Sequence, residues 1–145
     1  MSTRELQQRL VESLREWQKL ETAQIKLTGG VMETSSNPIV SLVMKIIQRD
    51  SEMHHRVQQL LIDSLESTVV TMSASDVALV RDQLSTHLAM EEETIRLARA
   101  NLDALAGQKL VVQEFLMEFL HKDEEKHRDL LKALEAFLDP EFLDD

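Results

Sequence analysis

The sequence predicts an all-α protein, an antiparallel four-helix bundle built from two similar helical hairpins. Three observations carry this. Apolar residues recur at three- and four-residue spacing along four long stretches. Only 3 Gly and 2 Pro interrupt 145 residues, so turns are few and helices long. The second half also repeats the pattern of the first: Leu14, Trp17, Leu20, Glu21, Ile25 and Leu27 match Leu84, His87, Met90, Glu91, Ile95 and Leu97. A chain of this length is expected to form one domain over residues 1–145, with a core of useful size.

The first helix is expected to start after Ser2 or Thr3, both good capping residues. Leu6, Leu10, Leu14, Trp17, Glu21 and Ile25 mark one face. Gly29-Gly30 offers a stop, but Val31-Met32-Glu33 still suits a helix. The clearer break is Thr34-Ser35-Ser36-Asn37-Pro38, so the helix is carried to about residue 33. The second helix begins at Asn37-Pro38, a cap followed by a first-turn proline, and runs to about Glu66. Its stripe is Val40, Val43, Ile47, Leu61 and Leu65. Thr68 to Ser75 reads as a connection, with Ser73 or Ser75 before Asp76 as a helix start. The third helix carries Val77, Val80, Leu84, Leu88, Glu91, Ile95 and Leu102 and stops at Ala106-Gly107. The fourth is placed from about Gln108 to Leu138, ahead of Pro140, with Leu116, Leu120, Glu124, His127, Leu131, Leu134 and Leu138 on one face. The last five residues read as a frayed tail.

Each helix of about 30 residues spans about 45 Å. The connection after the second helix, about eight residues, reaches only about 28 Å when extended. It cannot travel back along a helix, so the third helix starts where the second ends. This gives an up-down-up-down order, unless two subunits exchange hairpins.

Composition removes several functions. The net charge is −10 with His neutral, which argues against nucleic acid and anionic membranes as partners. There is no Cys, so disulfides, zinc-thiolate sites and iron–sulfur centres are excluded. Nothing resembles a signal core or a membrane span, and a cytoplasmic protein is expected. A homodimer is the default assembly.

The chemistry lies in a repeated phrase. Asp50-Ser51-Glu52-Met53-His54 is echoed by Asp123-Glu124-Glu125-Lys126-His127. Glu21, Glu91 and Glu124 all fall on apolar stripes near mid-helix, where an unpaired carboxylate is costly and must protonate, pair or bind a cation. Glu124 and His127, three apart, face the same way and can hold one ion through oxygen and nitrogen. A lone Glu-x-x-His on a helix is ordinarily an ion pair; here the other members stand at matching height. Glu52-x-x-His55 looks similar, but at about 100° per residue Glu52 falls opposite the apolar stripe and His54 within it. Glu52 and His55 are therefore set aside as a flank pair, and the position equivalent to Glu124 is Ser51. Asp50 and Asp123 are placed to hydrogen-bond a ligating imidazole across the bundle. Glu92 is a second-choice ligand.

One Glu from each of two helices, with a Glu-x-x-His on a facing helix, resembles the ferritin-like superfamily, and its rubrerythrin-like branch in particular. The resemblance covers nearly the whole chain in helix count, length and motif height. It implies a metal centre of Glu21, His54, Glu91, Glu124 and His127 binding one or two iron ions, with manganese or zinc as other candidates. It also implies oxygen or peroxide chemistry, or ferrous-iron oxidation, as an iron-dependent oxidoreductase would perform. The chain departs from the family at Ser51, where a ligand Glu is expected, and that departure sets two-metal occupancy against a single or degenerate site. The absence of Cys removes the rubredoxin module, and the length leaves no fifth helix of the cage-forming ferritins. The other reading of the same residues is a metal-free bundle that serves as a structural or protein-interaction module.

Overall fold

The computed structural model describes residues 1–67 and 71–138. They form four helices, α1 (Thr3–Thr34), α2 (Pro38–Glu66), α3 (Ala74–Leu105) and α4 (Val111–Phe137), with no strand among the described residues. Two compact units, Met1–Val70 and Thr71–Asp145, divide the chain. α1 packs on α2 in the first, and α3 on α4 in the second. No helix among the described residues is long and apolar enough to cross a membrane. The expected tail and residues 68–70 of the expected connection lie outside the described residues.

Helix starts follow the local chemistry of the sequence. The Ser2 hydroxyl accepts from the Glu5 amide at 3.2 Å, and the Glu5 carboxylate accepts from the Ser2 amide at 2.7 Å. This reciprocal pair satisfies two N-terminal donors that the helix leaves free. Ser73 and Asp76 make the same pair at α3. Asn37 accepts from the amides of Ile39 and Val40, with Pro38 in the first turn of α2. α1 passes through Gly29-Gly30, as expected, because no cap is built there and Asn37-Pro38 is the stronger signal.

The start of α4 is a correction. It lies at Val111, not near Gln108. Gly107 and Lys109 both take positive φ, 74° and 58°, which takes Lys109 out of the helix. Lysine in this region carries a steric cost that glycine does not. Lys109→Gly is expected to stabilise the chain by about 1 kcal/mol, read as a rise in the urea midpoint at constant slope.

Within each unit the buried positions form a heptad-like seam. In α1 it is Val11, Leu14, Gln18, Glu21, Ile25 and Thr28; in α2, Gln48, Ser51, His55, Gln58, Ile62 and Leu65. In α3 it is Val77, Leu84, Leu88, Glu91, Ile95 and Ala98, facing Leu138, Leu131 and Glu124 of the α4 side. Several expected core positions are instead exposed: Leu6, Leu10, Trp17, Val40, Ile47, Leu61 and Leu120. A contact between two helices covers one narrow stripe, and the apolar face written in the sequence is wider than that.

Candidate metal centre

The second unit brings three of the expected ligands together. Glu91 on α3 and Glu124 and His127 on α4 each offer one donor atom, and these atoms lie within 4.8 Å of one another. Glu91 is buried; Glu124 and His127 are half-buried. The positions follow from the seam. Glu91 sits one helical repeat after Leu84, and Glu124 one repeat before Leu131.

The imidazole is oriented from both ends. His127 Nδ1 lies 3.6 Å from Glu91 Oε1 and 3.9 Å from Glu124 Oε2. Its Nε2 lies 3.4 Å from Asp123 Oδ2, one turn back on the same helix. Asp123 thus stands beside the imidazole within α4, where the sequence suggested a contact across the bundle. When the ring proton is on Nε2, beside the Asp123 carboxylate, the Nδ1 lone pair faces the two carboxylates. A cation placed there satisfies all three donors. Asp123→Asn should therefore weaken metal affinity by about 10- to 100-fold while leaving helix content unchanged. Isothermal titration and circular dichroism check the two halves of that statement.

Two further residues complete the centre. Thr94 Oγ1 lies 2.8 Å from Glu124 Oε2 and 2.8 Å from the Glu91 carbonyl oxygen. Its hydroxyl proton can be donated to the carboxylate and pin it. His87 Nε2 lies 3.5 Å from Glu91 Oε1, one turn away on α3. Neither was singled out from the sequence. The signal lay in spacing: Thr94 follows Glu91 by three and His87 precedes it by four, so all three share a face.

Electrostatics couple the two carboxyl groups. The hydrogen bond Glu91 shares with Glu124 raises its pKa above the ordinary glutamate value. Burial and the charge of Glu124 push the same way, while His127 and His87 oppose. The same hydrogen bond, with that from Thr94, lowers the pKa of Glu124. Of the two carboxyl groups, Glu91 keeps its proton to the higher pH. Metal binding has to displace it, because ligands must be deprotonated.

The first unit arranges the other expected residues differently. Glu21 Oε1 lies 3.3 Å from His54 Nδ1, and Gln58 Nε2 reaches the same oxygen at 3.5 Å. The His54 ring is exposed, although the helical phase had placed it on the buried stripe. Ser51 is fully enclosed and donates to Gln24 Oε1 at 3.3 Å. This mirrors Thr94 and Glu124: Gln24 follows Glu21 by three as Thr94 follows Glu91, and Ser51 stands where Glu124 does in the repeated phrase. Hydroxyl and acceptor have exchanged helices, and a neutral amide now fills the carboxylate's role. Glu52 is exposed and Glu92 pairs with Lys132 at 3.8 Å, away from the cluster.

No family model, curated protein or solved structure matches the chain. Function has to be argued from the site alone.

Proposed function

We propose that this chain is a metal-binding protein of the rubrerythrin-like ferritin type, an antiparallel four-helix bundle in which Glu91, Glu124 and His127 hold an iron-type ion. The supporting observation is the convergence of two carboxylates and one imidazole on a single point, with Asp123 beside the imidazole. Mixed oxygen and nitrogen donors suit iron, manganese and zinc. When bound, iron would supply the oxygen, peroxide or ferrous-oxidation chemistry that the resemblance implies. The protein's own part is to furnish charge through Glu91 and Glu124, to present Nδ1 of His127, and to hold Glu124 with Thr94. In the family pattern Glu21 and His54 belong to the same centre; this proposal does not need them, since they form a pair within their own unit.

A second reading, a metal-free interaction module, is favoured by a separate observation. Large apolar side chains stand exposed on the helices, Trp17 at 53% and Leu27 at 69% among them, and such surface ordinarily marks an interface.

Elemental analysis decides between the two. Protein purified without chelators and loaded anaerobically with ferrous iron should carry metal, and Glu124→Ala should lose it. A hundredfold excess of metal over its Kd should stabilise the fold by about 2.7 kcal/mol. Metal content near zero after loading, with no shift in the melting midpoint, removes the first reading and leaves the second.

A further inference from the structure

Gly30 has no explanation inside its own chain. It lies within α1, where glycine weakens a helix more than any residue but proline. Its φ is not positive, so the backbone does not require glycine. A Cβ added there would meet no atom within 4 Å, so packing does not require it either. Around it runs a shallow groove lined by Ala23, Lys26, Leu27, Gly30, Val31 and Thr34. At about 100° per residue, Leu20, Ala23, Leu27 and Gly30 fall on the side of α1 opposite the seam with α2. α2 therefore cannot cover them, and Leu20 and Leu27 are 58% and 69% exposed.

These four residues alternate three- and four-residue spacings, as the a and d positions of a heptad do. Their sizes are ordered so that the face complements itself. A second α1, placed antiparallel across a two-fold axis, sets Leu20 opposite the partner's Gly30. Ala23 then falls opposite the partner's Leu27, and the symmetry repeats both layers. Each leucine meets a small residue, so the two backbones can approach closely. The flanks match as well. Lys19 comes opposite the partner's Glu33 on one side, and Trp17 opposite the partner's Val31 on the other. Lys19 and Glu33 are exposed and have no ion-pair partner among the described residues. The two Lys26 side chains meet at the axis and carry their charged heads out to solvent.

The second half of the repeat lacks this face. Glu93 of α3 stands where α1 has Ala23, and it is ion-paired with Arg96. Charge also favours contact through the first half. Residues 1–70 carry 8 Lys and Arg against 9 Asp and Glu, a net −1 of the chain's −10, which leaves −9 on residues 71–145. Two copies meeting through residues 71–145 would bring those charges together.

We infer that a second copy of this chain docks on the outer face of α1, through an antiparallel α1–α1 contact centred between Ala23 and Leu27. The contact is independent of the Glu91–Glu124–His127 centre.

Sedimentation equilibrium of the full chain in EDTA tests it. Between about 1 µM and about 1 mM, where a small interface dissociates, the chain should pass reversibly from monomer to dimer. Gly30→Leu should abolish the dimer without lowering the melting midpoint of the monomer, since it fills open space and improves the helix. Lys19→Glu and Glu33→Lys should each weaken the dimer by about 5- to 10-fold at low salt, and the double variant should recover it. A chain that stays monomeric at about 1 mM, or a dimer that survives Gly30→Leu, overturns the contact. A double variant that fails to recover overturns its antiparallel register.

Discussion

Glu91→Gln should move stability and binding in opposite directions. Without metal at pH 7, the variant should melt about 3–5 °C above the native chain, the shift expected for about 1 kcal/mol in a domain of this size. Two carboxyl groups share a hydrogen bond in a buried setting, and ionisation of both is opposed by burial and by their charges. The Gln amide donates to Glu124 permanently and carries no charge, so the repulsion disappears. The same change removes one of three ligand atoms and should abolish the thermal shift on adding ferrous iron or Zn2+. Differential scanning calorimetry with and without metal reads both effects. A variant destabilised in the absence of metal would mean that Glu91 is held by ion pairing with His127 and His87, and not by its hydrogen bond with Glu124.

The second large effect is on pH. Glu91 has a raised folded-state pKa, so its contribution to stability is complete below the unfolded value and is lost as pH rises through the folded value. Glu124 has a lowered pKa, so its contribution is present above the unfolded value and is lost as pH falls through the folded one. Together they make the metal-free protein most stable near the ordinary glutamate pKa, between the two shifted values, and less so toward neutrality. The N-terminal caps at Glu5 and Asp76, whose pKa values are lowered by their serine partners, add a separate loss in acid. Subtracting the profile of a Glu91→Gln/Glu124→Gln double variant isolates the pair. With metal the order reverses, since both carboxylates must be ionised to bind, and the stabilisation by metal should grow from acid to neutral pH. About one proton should leave Glu91 per ion bound at pH below its raised pKa, and fewer as pH rises through it. Titration calorimetry in buffers of different ionisation enthalpy counts it. A count of zero below that pKa would contradict the proton on Glu91.

Much of this was legible before any coordinates. Three helix starts were readable because Ser2, Asn37 and Ser73 act on amides within three residues of themselves. The start of α4 was not, because nothing in the sequence marks Lys109 as a residue with positive φ. Glu91, Glu124 and His127 could be found because they interrupt an apolar stripe with groups of recognised ligand chemistry. Gln24, Gln58 and Thr94 escaped because a neutral polar residue on a helix is ordinarily read as solvated. Only the partner across the seam makes it matter, and partners across a seam are not periodic in one helix. The exposed apolar residues have the same origin. Periodicity finds which positions are apolar, while the pairing of two helices selects which stripe of them is covered.

The polar seam of the first unit has a bearing on alignment. Gln18 meets the His55 carbonyl and Gln59, Glu21 meets His54 and Gln58, Ser51 meets Gln24, and Gln48 meets the Ile25 carbonyl. These contacts form a ladder whose rungs are all different. An apolar stripe of leucines tolerates a slide of one heptad, since each knob finds another hole of similar shape. A slide of this seam by one heptad would set Glu21 against Ser51 or Leu65 in place of Gln58, and strand several buried polar groups at once. The first unit thus carries a mechanical key: few of its rungs contribute much stability, but together they admit a single setting of α1 against α2.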